Sequence, residues 1–366
     1  MNNENDKSFK IINLHIEDYK MFKDFDIDFV DKDDNPLPIV VLAGVNGSGK
    51  TTLLEFIVEY FKHEENKLIY ESKGLTFGLG ETYSFGAFVD TYKSIEQYNS
   101  LKSLLSKNTR ISNTIYISVE QNNIIELKES ILEHYRRLSR KYSHLEALEE
   151  IQKFLNTIFA DDMDITFKID DIDIVLRDNE KVIFKNKSGD AFDIDKLSTG
   201  EKTLLSKVLY LYFKDYSNKV ILIDEPELSL HPSWQNRVLK IYENFAKANN
   251  CQVIIATHSP HIIGSAKSES LRILKKVDEK IEAFKYSQSY GFEFDKILTD
   301  IMGVENLRTP EIAEDIKRLW ELLKKEAYQS KEYQELYQKL EKLLGDLDQD
   351  LLLARLEVAK IKSRNA

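Results

Sequence analysis

The chain has 366 residues and a mass of 42.6 kDa, room for about two to three folding units. Apolar residues make up 42% and charged residues 31%, which excludes wholesale disorder. The net charge of −11 excludes a uniformly basic nucleic-acid coat, though not a local basic patch, and a single cysteine, Cys251, excludes an intrachain disulfide or a cysteine-built zinc cluster.

The elements follow in chain order. Alternating apolar residues between Phe9 and Phe29 predict two strands, with Ile12, Leu14 and Ile16 on one face and Ile27 and Phe29 repeating it after a turn. Ile39–Ala43 is short and wholly apolar, the pattern of a strand buried on both faces. A glycine-rich turn follows, then a helix over 51–62. Glycines interrupt weak strand signals in 63–110. Thr114–Ser118 reads as a strand, and residues 124–159 keep a 3.6-residue apolar period. As one helix that run would span about 54 Å, so it is a lobe or a short hairpin, too small for a long coiled-coil arm. Residues 165–195 alternate as a small antiparallel unit. A helix over 202–216 precedes two further buried strands, 219–223 and 252–256, separated by a helix over 233–248. The tail from Pro310 is helical and highly charged, broken near Gly345. The expected fold class is α/β, a largely parallel sheet flanked by helices, with an antiparallel edge, a helical insertion and a C-terminal helical extension. The expected boundaries are 1–122, 123–162, 163–305 and 306–366.

Residues 44–51 read Gly-Val-Asn-Gly-Ser-Gly-Lys-Thr, the G-x-x-x-x-G-K-[ST] phosphate loop in its required place between a strand and a helix. The glycines turn backbone N–H groups inward, and the helix N-terminus adds a favourable dipole. Lys50 is expected on the β- and γ-phosphates and Thr51 on Mg²⁺, with Asn46, Gly47, Ser48, Gly49 and Thr52 completing the ATP-binding set. The strand Ile221–Ile223 runs into Asp224 and Glu225. Asp224 would hold Mg²⁺, directly or at one remove, and Glu225 would polarise the attacking water. Two acids at a strand exit are by themselves also an ordinary solvated feature; the phosphate loop is what assigns them to chemistry.

Leu197-Ser198-Thr199-Gly200-Glu201-Lys202 resembles the signature motif of ATP-binding-cassette ATPases. The resemblance implies that Ser198, Gly200 and Glu201 meet nucleotide bound to the opposite subunit. Ser198 or Thr199 is equally suited to cap a helix, and a capped helix start is also an anion site. His258, 34 residues after Asp224, resembles the switch histidine that touches the γ-phosphate in that family. Gln121 is a candidate for the glutamine that senses Mg²⁺ and the attacking water, or an ordinary loop residue. Tyr19 is a candidate neighbour of adenine.

Together these motifs resemble an ATP-binding-cassette ATPase. Asp224-Glu225-Pro226-Glu227-Leu228-Ser229-Leu230-His231-Pro232 and Ala256-Thr257-His258-Ser259-Pro260 are similar to the branch containing RecF-like and SMC-like repair ATPases, OLD ATPases and bacterial anti-phage ATPases. Residues 286–311, with Ser289-Tyr290-Gly291 and Arg308-Thr309-Pro310-Glu311, resemble the tail of Septu PtuA-type defence ATPases. The resemblance implies a head-to-head homodimer with composite ATP sites and an effector partner, such as an HNH nuclease. DNA binding and a non-hydrolysing ATP-bound scaffold stay open as alternatives. No acidic D-x-D follows a buried strand in the tail, so no nuclease centre is expected in this chain. Trp320 and Tyr337 are candidate anchors for a partner. The polar, acidic first residues and the lack of a run of ~20 apolar residues point to a cytoplasmic protein without a membrane span.

Overall fold

The computed structural model describes residues 10–62, 75–79, 114–117, 127–159, 168–173, 181–185, 189–213, 217–286, 290–304 and 306–364. It divides into two units, one ending at Ile297 and one beginning at Leu298.

The first unit is built on a six-stranded sheet. β3 (Ile39–Ala43), β9 (Val220–Asp224) and β10 (Gln252–Thr257) are buried along their whole length. Such strands bury both faces, which suits a parallel sheet covered on either side. They lie together in the order β12–β11–β3–β10–β9–β5, with β5 at Thr114–Ile117, β11 at Leu271–Val277 and β12 at Lys280–Lys285. All neighbours are parallel except β12, which returns antiparallel to β11. A three-stranded antiparallel sheet, β2–β1–β4, carries β1 (Ile11–Tyr19), β2 (Phe22–Asp28) and β4 (Leu75–Leu79). One core joins it to helix α1 (Lys50–Lys62) and to the parallel sheet, through Leu14 and Phe25, Leu54 and Ile57, and Leu222 and Ile254.

Two buried polar side chains stitch the sheets. The Gln252 amide oxygen accepts from the Ile11 N–H at 2.8 Å, and its nitrogen donates to the carbonyls of Ile11 and Leu37 at 2.9 and 3.2 Å. Arg272, 1% exposed, donates to the Asp28 carbonyl and carboxylate at 2.8 and 2.7 Å and to the Val30 carbonyl at 2.9 Å.

The apolar run over 124–159 is two helices, α2 (Leu127–Leu138) and α3 (His144–Phe159). The break has a local cause. The Ser143 N–H and hydroxyl both donate to the Glu146 carboxylate at 2.8 Å, a capping box that starts a new helix. A small antiparallel sheet, β6 (Lys168–Asp173), β7 (Lys181–Lys185) and β8 (Ala191–Asp193), follows. Helix α4 (Thr199–Phe213) begins earlier than the apolar pattern predicts, so the Ser198-Thr199-Gly200-Glu201 stretch is its first turn. Phe154 of α3 stacks on Tyr212 of α4 with ring centroids 3.8 Å apart. Helix α5 (Pro232–Ala248) packs against β10 and β3, and the short α6 (Pro260–Ser265) follows β10.

The second unit is a bundle of α7 (Pro310–Lys324), α8 (Lys331–Leu344) and α9 (Gln349–Arg364) around Leu319, Leu323, Leu340 and Leu351. Gly345, at φ +86°, ends α8 where a side chain would be strained. Trp320 and Tyr337 are half-buried and pack against this unit's own core. Among the described residues, no helix is long and apolar enough to cross a membrane.

Gln252→Leu should lower stability by about 3 kcal/mol, because three backbone groups lose a buried partner at once. Chemical denaturation of the full chain checks this; a loss under about 1 kcal/mol would show that water or relaxation re-satisfies them.

Candidate nucleotide-binding site

The ends of three adjacent strands set the site. In register, Ala43 of β3 lies beside Thr257 of β10, and Ala256 of β10 beside Asp224 of β9. The loop after β3, the acids after β9 and the histidine after β10 therefore leave the same edge of the sheet, where open α/β sheets bind ligands.

The loop 44–49 needs its glycines. Gly44, Gly47 and Gly49 have φ of +153°, +80° and +92°. A Cβ on Gly44 would stand 2.5 Å from the Leu274 carbonyl oxygen, and one on Gly49 would stand 2.9 Å from Met21 Sδ and Phe22 Cζ. Val45, Asn46 and Gly47 form the exposed tip, whereas Ser48 and Gly49 are buried. The Lys50 ammonium, 7% exposed, folds back to donate to the Gly44 and Val45 carbonyls at 2.7 and 3.1 Å. Burial pulls its pKa down, opposed by the charges of Glu225, Asp224 and Glu227. The Thr51 hydroxyl lies beside the Asp224 carboxylate and pulls its pKa down. Thr52 is half-buried one position further along α1.

Asp224 is 4% exposed. Burial raises its pKa, with Glu225 adding to the rise and Thr51, Lys50 and Tyr116 opposing it. The Tyr116 hydroxyl donates to Oδ2 at 3.5 Å, and burial next to Asp224 pushes that phenol up as well. Oδ1 of Asp224 and Oγ of Ser48 are buried with no hydrogen-bond partner. A buried ammonium with a depressed pKa, a buried carboxylate with a raised one and two orphaned oxygens form a set of groups whose burial the neighbouring charges only partly offset. This donor set fits a phosphate chain with a hard cation: an anion for Lys50 and an oxygen-seeking metal for Thr51 and Asp224.

Glu225 sits at φ +47°, a left-handed conformation uncommon for a glutamate, with its N–H held by the Ala256 carbonyl at 2.8 Å. Its Oε1 lies 3.0 Å from Nδ1 of His258. Behind the pair is Glu227, 4% exposed. Glu227 Oε1 accepts from the Thr257 hydroxyl at 2.6 Å and from the His258 and Ser259 N–H groups at 3.1 Å each. Gln235 of α5 braces the same turn, accepting from the Ser259 hydroxyl at 2.7 Å and donating to the Leu230 carbonyl at 2.9 Å. His231 caps α5 by accepting from the Ser233 N–H.

The structure thus brings together Lys50, Thr51, Asp224, Glu225 and His258. Ser198 and Glu201 stand apart from them and bond to each other. The Ser198 N–H and hydroxyl donate to the Glu201 carboxylate at 2.8 and 2.6 Å, a capping box that leaves the start of α4 exposed. Tyr19 packs on Phe56, ring centroids 4.7 Å apart. Gln121 lies outside the described residues. Motif reading passed over Glu227, Lys207 and Tyr116. Glu227 stood within the Asp224–Pro232 run that carries the resemblance, but nothing in the sequence gave it a role.

Phosphate loop, acid strand and sheet edge define a P-loop ATPase domain. The chain belongs to the family described as "AAA domain, putative AbiEii toxin, Type IV TA system", which matches residues 58–264. It is 25% identical over 375 residues to the Septu protein PtuA of Bacillus thuringiensis, covering 87% of this chain and 92% of that protein. It is 25% identical over 292 residues to the "Retron Vc95 probable ATPase" of Vibrio cholerae serotype O1 biovar El Tor, covering 74% of this chain but 54% of that one. The chain therefore spans nearly the whole of the first relative and about half of the second. Among solved structures, an SMC head bound to the C-terminal winged-helix domain of ScpA superposes with a TM-score of 0.45 at 14% identity, over 76% of this chain and 98% of that one.

Gly44→Ala should weaken ATP binding by at least about tenfold, since the fixed Leu274 carbonyl blocks the methyl group. Gly47→Ala, whose Cβ meets nothing within 4 Å, should cost less, from backbone strain alone. Titration with a fluorescent ATP analogue separates the two, and equal losses would show that steric closure at Gly44 is not the constraint.

Proposed function

We propose that this protein binds and hydrolyses ATP as a dimer-forming switch that controls a partner effector in defence against phage. The observation that carries the reading is the convergence of Lys50, Thr51–Asp224 and Glu225–His258 at one sheet edge, with buried charges that a nucleotide and its cation would compensate. Lys50 and the loop N–H groups hold the phosphates. Thr51 and Asp224 would hold Mg²⁺, which neutralises phosphate charge when bound. Glu225 orients the attacking water and takes its proton, and His258, held on Glu225, meets the terminal phosphate.

The second half of each site comes from another copy. The start of α4 is exposed, and its capping box spends Ser198 and Glu201 on shaping a helix N-terminus suited to an anion. Gly200 supports this, because a Cβ there would meet only Trp234 Cδ1, at 3.9 Å. Among the described residues no contact demands a glycine there; close approach by a second molecule would. The effector role rests on the similarity to Septu PtuA over nearly its full length. The effector is a nuclease, of the HNH type, on a separate chain.

Mg²⁺-dependent ATP turnover by the full chain tests the reading. Glu225→Gln should leave ATP affinity near the wild-type value and cut turnover by about 100-fold or more. Wild-type turnover in that variant removes Glu225 from its role. Nucleotide retained by the wild-type protein with no turnover would leave a scaffold and overturn hydrolysis.

A further inference from the structure

We infer that Lys207 is a positioning residue that couples the start of α4 to the hydrolytic pair Glu225–His258 through the turn carrying Glu227. The inference rests on the proposed reading of Glu225 and of the α4 N-terminus.

Lys207 lies nine residues after Ser198 on the same helix, about 13 Å along its axis. A solvated lysine is the usual choice for a helix in contact with water, but this one is buried, 7% exposed. Its ammonium donates to the Pro226 carbonyl at 2.5 Å and to the Leu228 carbonyl at 3.3 Å. Those two carbonyls flank Glu227, so the lysine grips the turn on either side of the buried carboxylate. Burial drags the Lys207 pKa to about 8, while the Glu227 charge pulls it back up.

The turn needs such a grip. Glu225 and Ser229 both sit at positive φ, +47° and +66°, and neither is a glycine. Its own hydrogen bonds are two backbone closures, Leu228 N–H to Glu225 O at 3.2 Å and Leu230 N–H to Glu227 O at 2.9 Å. Left-handed non-glycine residues are strained and persist where their surroundings over-determine them. From this turn the path to the chemistry is short. Glu227 Oε1 holds Thr257 and the backbone of His258 and Ser259, and the His258 ring reaches Glu225 Oε1. The other Glu227 oxygen, Oε2, is buried without a hydrogen-bond partner. A displacement of α4 on engaging a second copy would therefore pass through Lys207 to the turn, and from Glu227 to the position of His258 and Glu225. A lysine that only braced the fold would stabilise the protein without setting the rate of hydrolysis.

The test compares Lys207→Met, Lys207→Arg, Glu227→Gln and Glu225→Gln in the full chain, measuring thermal melting, ATP affinity and steady-state turnover. Lys207→Met should bind ATP like the wild type and lose about 10- to 100-fold in kcat at near-constant KM, as removal of a residue supporting a catalytic group does. Lys207→Arg, which keeps charge and donors, should recover most of the rate. Where Lys207→Met melts out, Glu227→Gln decides: it puts a weaker, neutral acceptor in place of the charged one that holds Thr257, His258 and Ser259, and should lower kcat in the same direction. Unchanged kcat in a folded Lys207→Met, no rescue by arginine in a folded variant, or unchanged kcat in Glu227→Gln would each overturn the coupling. An inactive wild type would instead overturn the hydrolytic reading, and wild-type turnover in Glu225→Gln would remove the role of that residue.

Discussion

The site depends on one constraint, the parallel register of β3, β10 and β9. Side-by-side pairing of Ala43 with Thr257 and of Ala256 with Asp224 puts three loops on one edge. In the sequence the first of those loops, at Gly44, lies far from the other two, at Glu225 and His258. Backbone ladders between strands buried on both faces hold them to ångström precision, because a slipped register would move polar residues into the core. Glu227 then turns that edge into a fixed shape. Its one carboxylate oxygen satisfies a hydroxyl and two consecutive N–H groups at the exit of β10, while its own chain segment is the exit of β9.

The electrostatics follow from the same packing. Lys50 and Asp224 are both buried beyond what either charge favours, which shows in the opposite directions of their pKa displacements. Lys50 satisfies itself on the Gly44 and Val45 carbonyls, and one Asp224 oxygen is buried without a hydrogen-bond partner. A site in this condition gains more from a phosphate chain and its cation than an already neutralised one would. Binding of that kind stabilises the native state by mass action.

Much of this was legible in the sequence for physical reasons. β3, β9 and β10 are short unbroken apolar runs, and only strands buried on both faces need that composition. The phosphate loop was legible because its glycines answer to backbone geometry, which the φ values of Gly44, Gly47 and Gly49 bear out. The division of residues 127–159 into two helices was written in Ser143 and Glu146, yet apolar periodicity runs across the break and hides it. The early start of α4 was hidden likewise, since Ser198-Thr199-Gly200-Glu201 has no apolar period to extend. Lys207, Gln252 and Arg272 were illegible in principle. Long polar side chains read as solvated, and only the tertiary fold supplies the carbonyls that make their burial tolerable. Trp320 and Tyr337, candidate anchors by their sequence, are half-buried against the bundle's own core.

The central claim is that each ATP site is completed by the signature turn of a second copy, and mixing two inactive proteins tests it most directly. Lys50→Ala lacks a working phosphate loop, and Ser198→Arg lacks a working signature turn, so neither homodimer holds an intact site. A mixed dimer of the two holds one, built from the loop of the Ser198→Arg chain and the signature turn of the Lys50→Ala chain. Random exchange at equal concentrations predicts recovery of up to about one quarter of wild-type ATP turnover. Turnover that stays at the level of the separate variants, with mixed dimers demonstrably present, would contradict a composite site.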